Sequence, residues 1–181
     1  MNITYSGNGC FVLKAGKSAT MAFEPGDDFG DKVTCSTFSS GKVNEKVKTD
    51  RSLYLPGEYE IGGILVRSLY TDDRTNVVFK VTFEDIALAH FGNIGDLPIG
   101  NFFEELGENV SVAIIHASEN FDSKKIKTLL DKVGPRYVLV TGDEIHTKGL
   151  IDNLAAKKAE DNTINITKAS LNEDRMDVIL F

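Results

Sequence analysis

The sequence predicts an α/β (α+β) fold in which two mixed β-sheets face each other and helices lie outside them. Two observations predict it. The first half of the chain reads as short strands rich in β-branched and aromatic residues, separated by glycines. In the second half, apolar runs of strand length alternate with helical segments. Two facing sheets with outer helices are one compact way to bury so many strands. A chain of 181 residues suits one domain, residues 1–181, with a sizeable core.

The elements follow in order. "NITYS", "CFVLKAG" and "SATMAF" are strands, "EPGDDFGD" (24–31) is a loop, and "KVTCST" (32–37) is the next strand. "FSSGKVNEKVKTD" is polar and reads as loop. "SLYLPGEYEIGGILVRSLYT" (52–71) contains a hairpin that turns at Gly62-Gly63, where positive φ costs no strain. "NVVFKVTFE" alternates, and "IALAH" (86–90) is a nearly continuous apolar run. "IGNFFEELG" is a short helix ended by Gly107, and "VSVAIIH" (110–116) is a buried strand. "DSKKIKTLLDKVGP" (122–135) is the clearest helix. Ile126, Leu129, Leu130 and Val133 form its apolar face, Asp122 caps it, and Gly134-Pro135 ends it. It belongs on an outer face. "YVLVTG" is a buried strand, "TKGLIDNLAAKKA" a helix, and "TINITKA" and "MDVILF" are closing strands. Each half of the chain is expected to supply one sheet.

Composition narrows the function. Hydrophobic residues make up 41% and charged residues 26%, an ordinary balance for a soluble protein. A net charge of −7 disfavours nucleic acid and anionic membrane surfaces as partners. No apolar run approaches the ~20 residues that span a bilayer. The opening Met-Asn-Ile-Thr-Tyr enters a strand directly, without the basic and apolar regions of an export signal. Cys10 and Cys35 lie in apolar strand contexts with no Cys-x-x-Cys spacing. They read as buried free thiols, which implies a reducing, cytoplasmic location.

"LAHFGNIGD" (88–96) ends a buried strand with a histidine, a glycine-rich corner and an acid. With it, "ITYSGNGCFVLKAG", "FEP" (23–25), "LPGEYEIGGILVRSL" and "DSKKIKTLLDKVGPRYVLVTGDE" carry a resemblance over nearly the whole chain. The chain resembles the short, single-domain branch of the metallo-β-lactamase superfamily, the Zn-dependent, lactonase-related hydrolases. The Pro-Gly-Glu-Tyr-Glu hairpin is the most specific piece. The resemblance implies a four-layer αββα sandwich. It also implies metal ligands at the strand ends of one edge, where zinc polarises a carbonyl or phosphoryl group and generates hydroxide.

The ligands are what the chain lacks. Where the family has His-x-His-x-Asp-His, the corresponding residues are Thr37, Ser39, Gly41 and Lys42. The opening histidine falls on Asn8, the Asp of the Asp-Pro step on Glu24, and the bridging Asp on Asn93. The late histidine falls near Thr141 or Gly142, and Tyr70 to Asp73 replace another ligand. Only His90 survives as a candidate ligand, and no histidine precedes it in the chain. It reads better as a neutral, hydrogen-bonded histidine. No cofactor is therefore expected, and the reading is a catalytically silent binding or structural module. The rival is a hydrolase of esters, lactones or phosphodiesters with an atypical site. It would use His90, Glu24 and Asp72 or Asp73 with one divalent ion, or a Ser39/Lys42 pair without one. Self-association is expected of a silent module, with Phe29, Phe38 and Phe121 as candidate surface aromatics. A small-molecule ligand is not identified by the sequence.

Overall fold

A computed structural model of the chain describes residues 1–16, 19–71, 74–171 and 175–181. Asp72 and Asp73, candidates for the atypical metal site, lie outside the described residues.

The chain opens with β1 (Asn2–Tyr5), β2 (Phe11–Ala15), β3 (Ala19–Phe23), β4 (Val33–Thr37) and β5 (Thr49–Leu53). β1, β2 and β3 are antiparallel neighbours, and β3, β4 and β5 run parallel. Pro56 lies in the short corner that follows, which carries the chain to the other sheet. There β6 (Gly57–Ile61), β7 (Ile64–Tyr70), β8 (Val77–Phe83) and β9 (Ile86–His90) form an antiparallel meander. The helix α1 (Phe102–Leu106) leads to β10 (Val112–His116), α2 (Ser123–Val133), β11 (Tyr137–Thr141) and α3 (Glu144–Leu154). The chain closes with β12 (Lys157–Lys158), β13 (Thr163–Asn165) and β14 (Asp177–Leu180). β9, β10, β11 and β14 run parallel to one another.

Two sheets result, with strand orders β13-β1-β2-β3-β4-β5 and β12-β14-β11-β10-β9-β8-β7-β6. They pack face to face. One apolar core lies between them, drawing Phe11, Leu13 and Phe23 from the first sheet and Phe79, Leu88 and Ile114 from the second. A second core lies on the outer face of the larger sheet, beneath Phe102 and Leu106 of α1, Ile126, Leu129 and Leu130 of α2, and Leu150 of α3. β9 is therefore covered on both faces, which is why its five residues are all buried. All three helices pack on this one face. Phe29, from the loop at 24–31, instead packs on the small cluster of Cys10, Val12, Ala22 and Val33 in the smaller sheet.

Two facing mixed sheets with outer helices agree with the sequence reading. The division between them does not follow the two halves of the chain. β6 to β8 join the larger sheet, and β13 returns to pair with β1 through Asn2↔Asn165 and Thr4↔Thr163. The change from antiparallel to alternating pattern marks how strands are connected, not which sheet they enter, and mixed sheets with antiparallel edges are common. α3 also differs. It begins at Glu144 and ends at Leu154, where Ala155 takes a left-handed φ of 50°. Lys157 and Lys158, good helix formers, pair with β14 instead, so tertiary pairing overrides propensity.

Candidate functional site

The C-terminal ends of β4, β9, β10 and β11 bring the predicted site residues to one edge of the sandwich. Glu24 follows β3 with a left-handed φ of 51°, an uncommon conformation for a residue with a side chain. Its N–H donates to the Thr37 carbonyl at 3.0 Å. Its Oε1 accepts the Ser39 N–H at 2.6 Å. Burial pushes the Glu24 carboxyl up from its ordinary value, and the hydrogen bonds from Ser39 oppose that shift. Ser39 is buried and fully engaged: its carbonyl accepts from Val77 N–H at 2.8 Å, and its Oγ accepts from Asn93 N–H at 3.3 Å. Gly92, at φ 63°, presses on it from the corner. A Cβ at residue 92 would lie 2.2 Å from Ser39 Cβ and 2.7 Å from Asn76 Oδ1.

His90 is also buried, with its ring tilted against Phe23 at a centroid distance of 5.1 Å. Burial, and secondarily the nearby His116, bring its pKa down to about 3, so it is neutral at physiological pH. Its Nδ1 has no hydrogen-bond partner among the described residues, contrary to the expected hydrogen-bonded histidine at that nitrogen. Ser36 Oγ, Thr37 Oγ1 and Asn76 Oδ1 are likewise buried without a partner. Most buried polar atoms are paired, so the orphans mark the strand ends around Ser39 and Gly92 as a desolvated polar patch.

The remaining positions disperse. Asn8, at φ 50° in the β1–β2 turn, is exposed and donates to Asp28 at 3.1 Å. The Asn93 side chain is exposed, and only its backbone meets Ser39. Gly41, at φ 71°, turns the loop after β4, and the next residue, Lys42, is exposed. A buried Ser39 beside an exposed Lys42 is not a desolvated nucleophile–base pair. Gly142, at φ 136°, lies where a Cβ would meet the Ala117 carbonyl at 2.3 Å. In the acidic loop, Asp27 is bound by Lys46 and Asn44, which hold its carboxyl below the usual range. Phe38 and Phe121 are buried within the subunit and Phe29 is partly buried, so the expected surface aromatic patch is absent. Phe121 joins the core beneath the helices, and Phe29 packs on the smaller sheet.

Sequence spacing missed one convergence. His116 ends β10 one strand beyond His90, and its Nδ1 shares a 3.0 Å hydrogen bond with Thr141 Oγ1. His116 feels His146, in the first turn of α3, and the Asp143 carboxylate. The signal was present: each histidine follows or ends a strand that the parallel arrangement brings to the same edge. Even so, among the described residues no group of His, Cys, Asp and Glu has a metal-binding arrangement.

Zinc prefers imidazole, thiolate and carboxylate. The family positions here offer hydroxyls, amides, one imidazole and a carboxylate already bound by a backbone amide. Burial pushes the thiols of Cys10 and Cys35 up to about 12, so neither is a thiolate near neutral pH. These residues do not fit a zinc ion.

Two facing sheets, helices outside and a polar patch at parallel strand ends define a class, and the chain has the metallo-β-lactamase fold. A protein of Thermotoga maritima assigned to the Zn-dependent hydrolases of that superfamily superposes with a TM-score of 0.84. The alignment covers 99% of this chain and 98% of that one, at 20% identity. A metallo hydrolase from the archaeon Ignicoccus hospitalis matches with a TM-score of 0.63 and 13% identity, over 92% and 99% of the two chains. The short form of human tRNase Z matches with a TM-score of 0.59 and 9% identity, over 92% and 100%. No protein-family model matches the sequence, and no curated protein matches it either.

Proposed function

We propose that this chain is a metallo-β-lactamase-fold protein that has lost zinc-dependent hydrolysis and serves as a cytoplasmic binding or structural module. The observation that carries the reading is the contact of Gly92 with Ser39. A Cβ at residue 92 would lie 2.2 Å from Ser39 Cβ, so the corner and the loop after β4 are closed on each other. The Ser39 hydroxyl accepts from Asn93 of the corner, while its amide is held by Glu24 and its carbonyl by Val77. A catalytic zinc normally takes about three protein ligands plus water. Among the corresponding positions, only His90 offers an imidazole, and it sits buried against Phe23.

Other features support parts of the same reading. The fold neighbours named as metal-dependent hydrolases support descent from a catalytic ancestor. The two unbridged, buried thiols support a reducing compartment. Among the described residues, no helix is long and apolar enough to cross a membrane. The net charge of −7 supports partners other than nucleic acid and anionic membranes. Self-association belongs to the proposal and is read by light scattering, where a monomer mass at tens of micromolar protein would remove it.

Elemental analysis of the protein, as purified and after dialysis against zinc, tests the main claim. The expected zinc content is far below stoichiometric. Ester, lactone and phosphodiester substrates are expected to turn over no faster than in buffer. Near-stoichiometric zinc that a chelator removes along with stability would overturn the proposal. Turnover abolished by Ser39→Ala would overturn it by the serine route.

A further inference from the structure

We propose that the free edge of β6 binds an extended strand of a partner protein, antiparallel to β6, whose side chains alternate basic and apolar. The basic side chains face Glu58 and Glu60, and the apolar ones enter the groove between β6 and β5. This names a partner class for the binding-module reading and rests on that reading for its purpose.

The smaller sheet ends in β13 and β5, and the larger in β12 and β6. An unpaired edge offers its backbone groups to any other strand, and proteins blunt such edges. β13 and β12 are three and two residues long. β5 is closed by one of its own side chains. The Thr49 hydroxyl donates to the Arg51 carbonyl at 2.7 Å and accepts the Arg51 N–H at 3.3 Å. β6 runs for five residues with no proline inside it. Its register with β7 is unbroken from Gly57↔Ser68 to Ile61↔Ile64, so no bulge turns this edge away.

The hairpin decides which β6 groups are free. Gly62 and Gly63 form its two-residue turn at φ of 59° and 81°, so Ile61 and Ile64 close it as a hydrogen-bonded pair. Such pairs alternate along an antiparallel ladder. Tyr59 and Gly57 therefore bond to β7, and the N–H and C=O groups of Glu58 and Glu60 point away from it. No turn or loop backbone among the described residues takes them up.

Side chains choose the strand. Residues directly opposite each other across a pair share one face of the sheet. Glu58 and Glu60 are both exposed. Arg67 lies 3.6 Å from Glu58, and Glu60 forms no ion pair with a described residue. A basic residue opposite Glu60 thus gains a carboxylate with no other cation. On the other face, Tyr59 and Ile61 line a groove of about 480 Å³ together with Leu53 of β5. Arg51 lines the groove too, in no ion pair with a described residue, and it opposes a basic side chain there. The two faces ask for different chemistry, and a strand meets that demand through its period of two. A second copy does not. Two-fold pairing of β6 about Tyr59 sets each Glu58 opposite the other copy's Glu60, and like charges directly opposite are destabilising.

The probe is a blocked heptapeptide of alternating valine and lysine, titrated into the ¹⁵N-labelled full chain at low salt and followed by ¹H–¹⁵N shifts. Saturable shifts are expected in β6 and along the groove in β5, largest at Glu58 and Glu60. An alternating valine–glutamate peptide, and one with the valines and lysines in separate blocks, are expected to bind at least about tenfold more weakly. N-methylation of the lysine amides, which face β6 in an antiparallel pair, is expected to abolish binding. N-methylation of the valine amides, which face away, is expected to leave it unchanged, and neither change touches the protein. Glu60→Lys is expected to weaken the lysine peptide about tenfold and to favour the glutamate peptide. Residue 60 is exposed, so that variant is expected to melt with the parent. Absent or unsaturable shifts, shifts mapping elsewhere, equal binding of the two charge patterns, loss on valine instead of lysine methylation, or an unchanged Glu60→Lys would each overturn the proposal. Shifts of the β6 amides that grow with protein concentration alone would assign the edge to a second copy and overturn it too. Zinc content is read separately. Zinc-loaded protein that still binds the lysine peptide keeps this edge and removes the zinc-free reading, and zinc-free protein that ignores the peptide does the reverse.

Discussion

At the level of single residues, His90 and Glu24 carry opposite pH signatures. The pKa of His90 falls from its ordinary 6.5 to about 3 on burial. The unfolded chain therefore takes up a proton that the folded chain refuses, and stability present above about pH 6.5 is lost as pH falls toward 3. The slope from one such group is at most about 1.4 kcal/mol per pH unit. His90→Phe keeps a ring against Phe23 and removes the titration, so its urea midpoint between about pH 7 and 4 is expected to fall less steeply than the parent's. Glu24 has the reverse sign. Its carboxyl is raised by burial, so its charge is a cost that appears as pH rises through the folded pKa. Glu24→Gln keeps an oxygen for the Ser39 N–H and is expected to leave neutral-pH stability unchanged or higher by up to ~1 kcal/mol. Gly92 is steric. Its φ of 63° and the 2.2 Å approach to Ser39 leave Gly92→Ala no room, and a loss of about 2–4 kcal/mol in denaturant melts is expected. Gly95→Ala, with nothing within 4 Å, is the matched control and should change stability by less than ~0.5 kcal/mol.

Elements show which signals were legible. α2 was readable from end to end, because its cap, apolar spacing and stop all act locally. Asp122 accepts from the Lys124 and Lys125 N–H groups at 3.0 Å, and Gly134 closes the helix at φ 63°. Asp122→Ala is expected to cost about 1 kcal/mol, read as a lowered melting temperature. α3 was not readable in the same way. Asp143 makes no capping bond with its side chain, and the two lysines after the helix were claimed by β14. At the strand-end edge, the hydroxyl and amide side chains of Thr37, Ser39 and Asn93, where the resemblance implies metal ligands, were legible because each can be placed by the strand beside it. The closure of Gly92 on Ser39 was not, since nothing local to either stretch says how closely the two backbones approach. Nor was the approach of His116 to His90, which depends on the parallel register between β9 and β10.

At the scale of the whole molecule, the two sheets are interdependent. The chain crosses from the first to the second at the corner after β5 and returns at β13. Its first and last segments are tied as well: the Met1 amino group donates to Ile166 O at 2.9 Å, and the Phe181 ring packs edge-on to Phe11 and tilted against Tyr5. The core between the sheets is shared, so neither sheet can separate without exposing Phe11 and Phe23 on one side and Phe79 and Leu88 on the other. Division into independent halves would have allowed each sheet to melt alone, but the crossing at β13 removes that route. Unfolding is therefore expected to be a single transition, with far-ultraviolet dichroism and near-ultraviolet tyrosine signals coinciding. Phe79 is fully buried in the shared core, and Phe79→Ala removes a ring that packs between the sheets. It is expected to cost about 3–5 kcal/mol and to shift both signals together. Two resolved transitions, or a variant that moves one signal and leaves the other, would mean that the sheets fold as separate units.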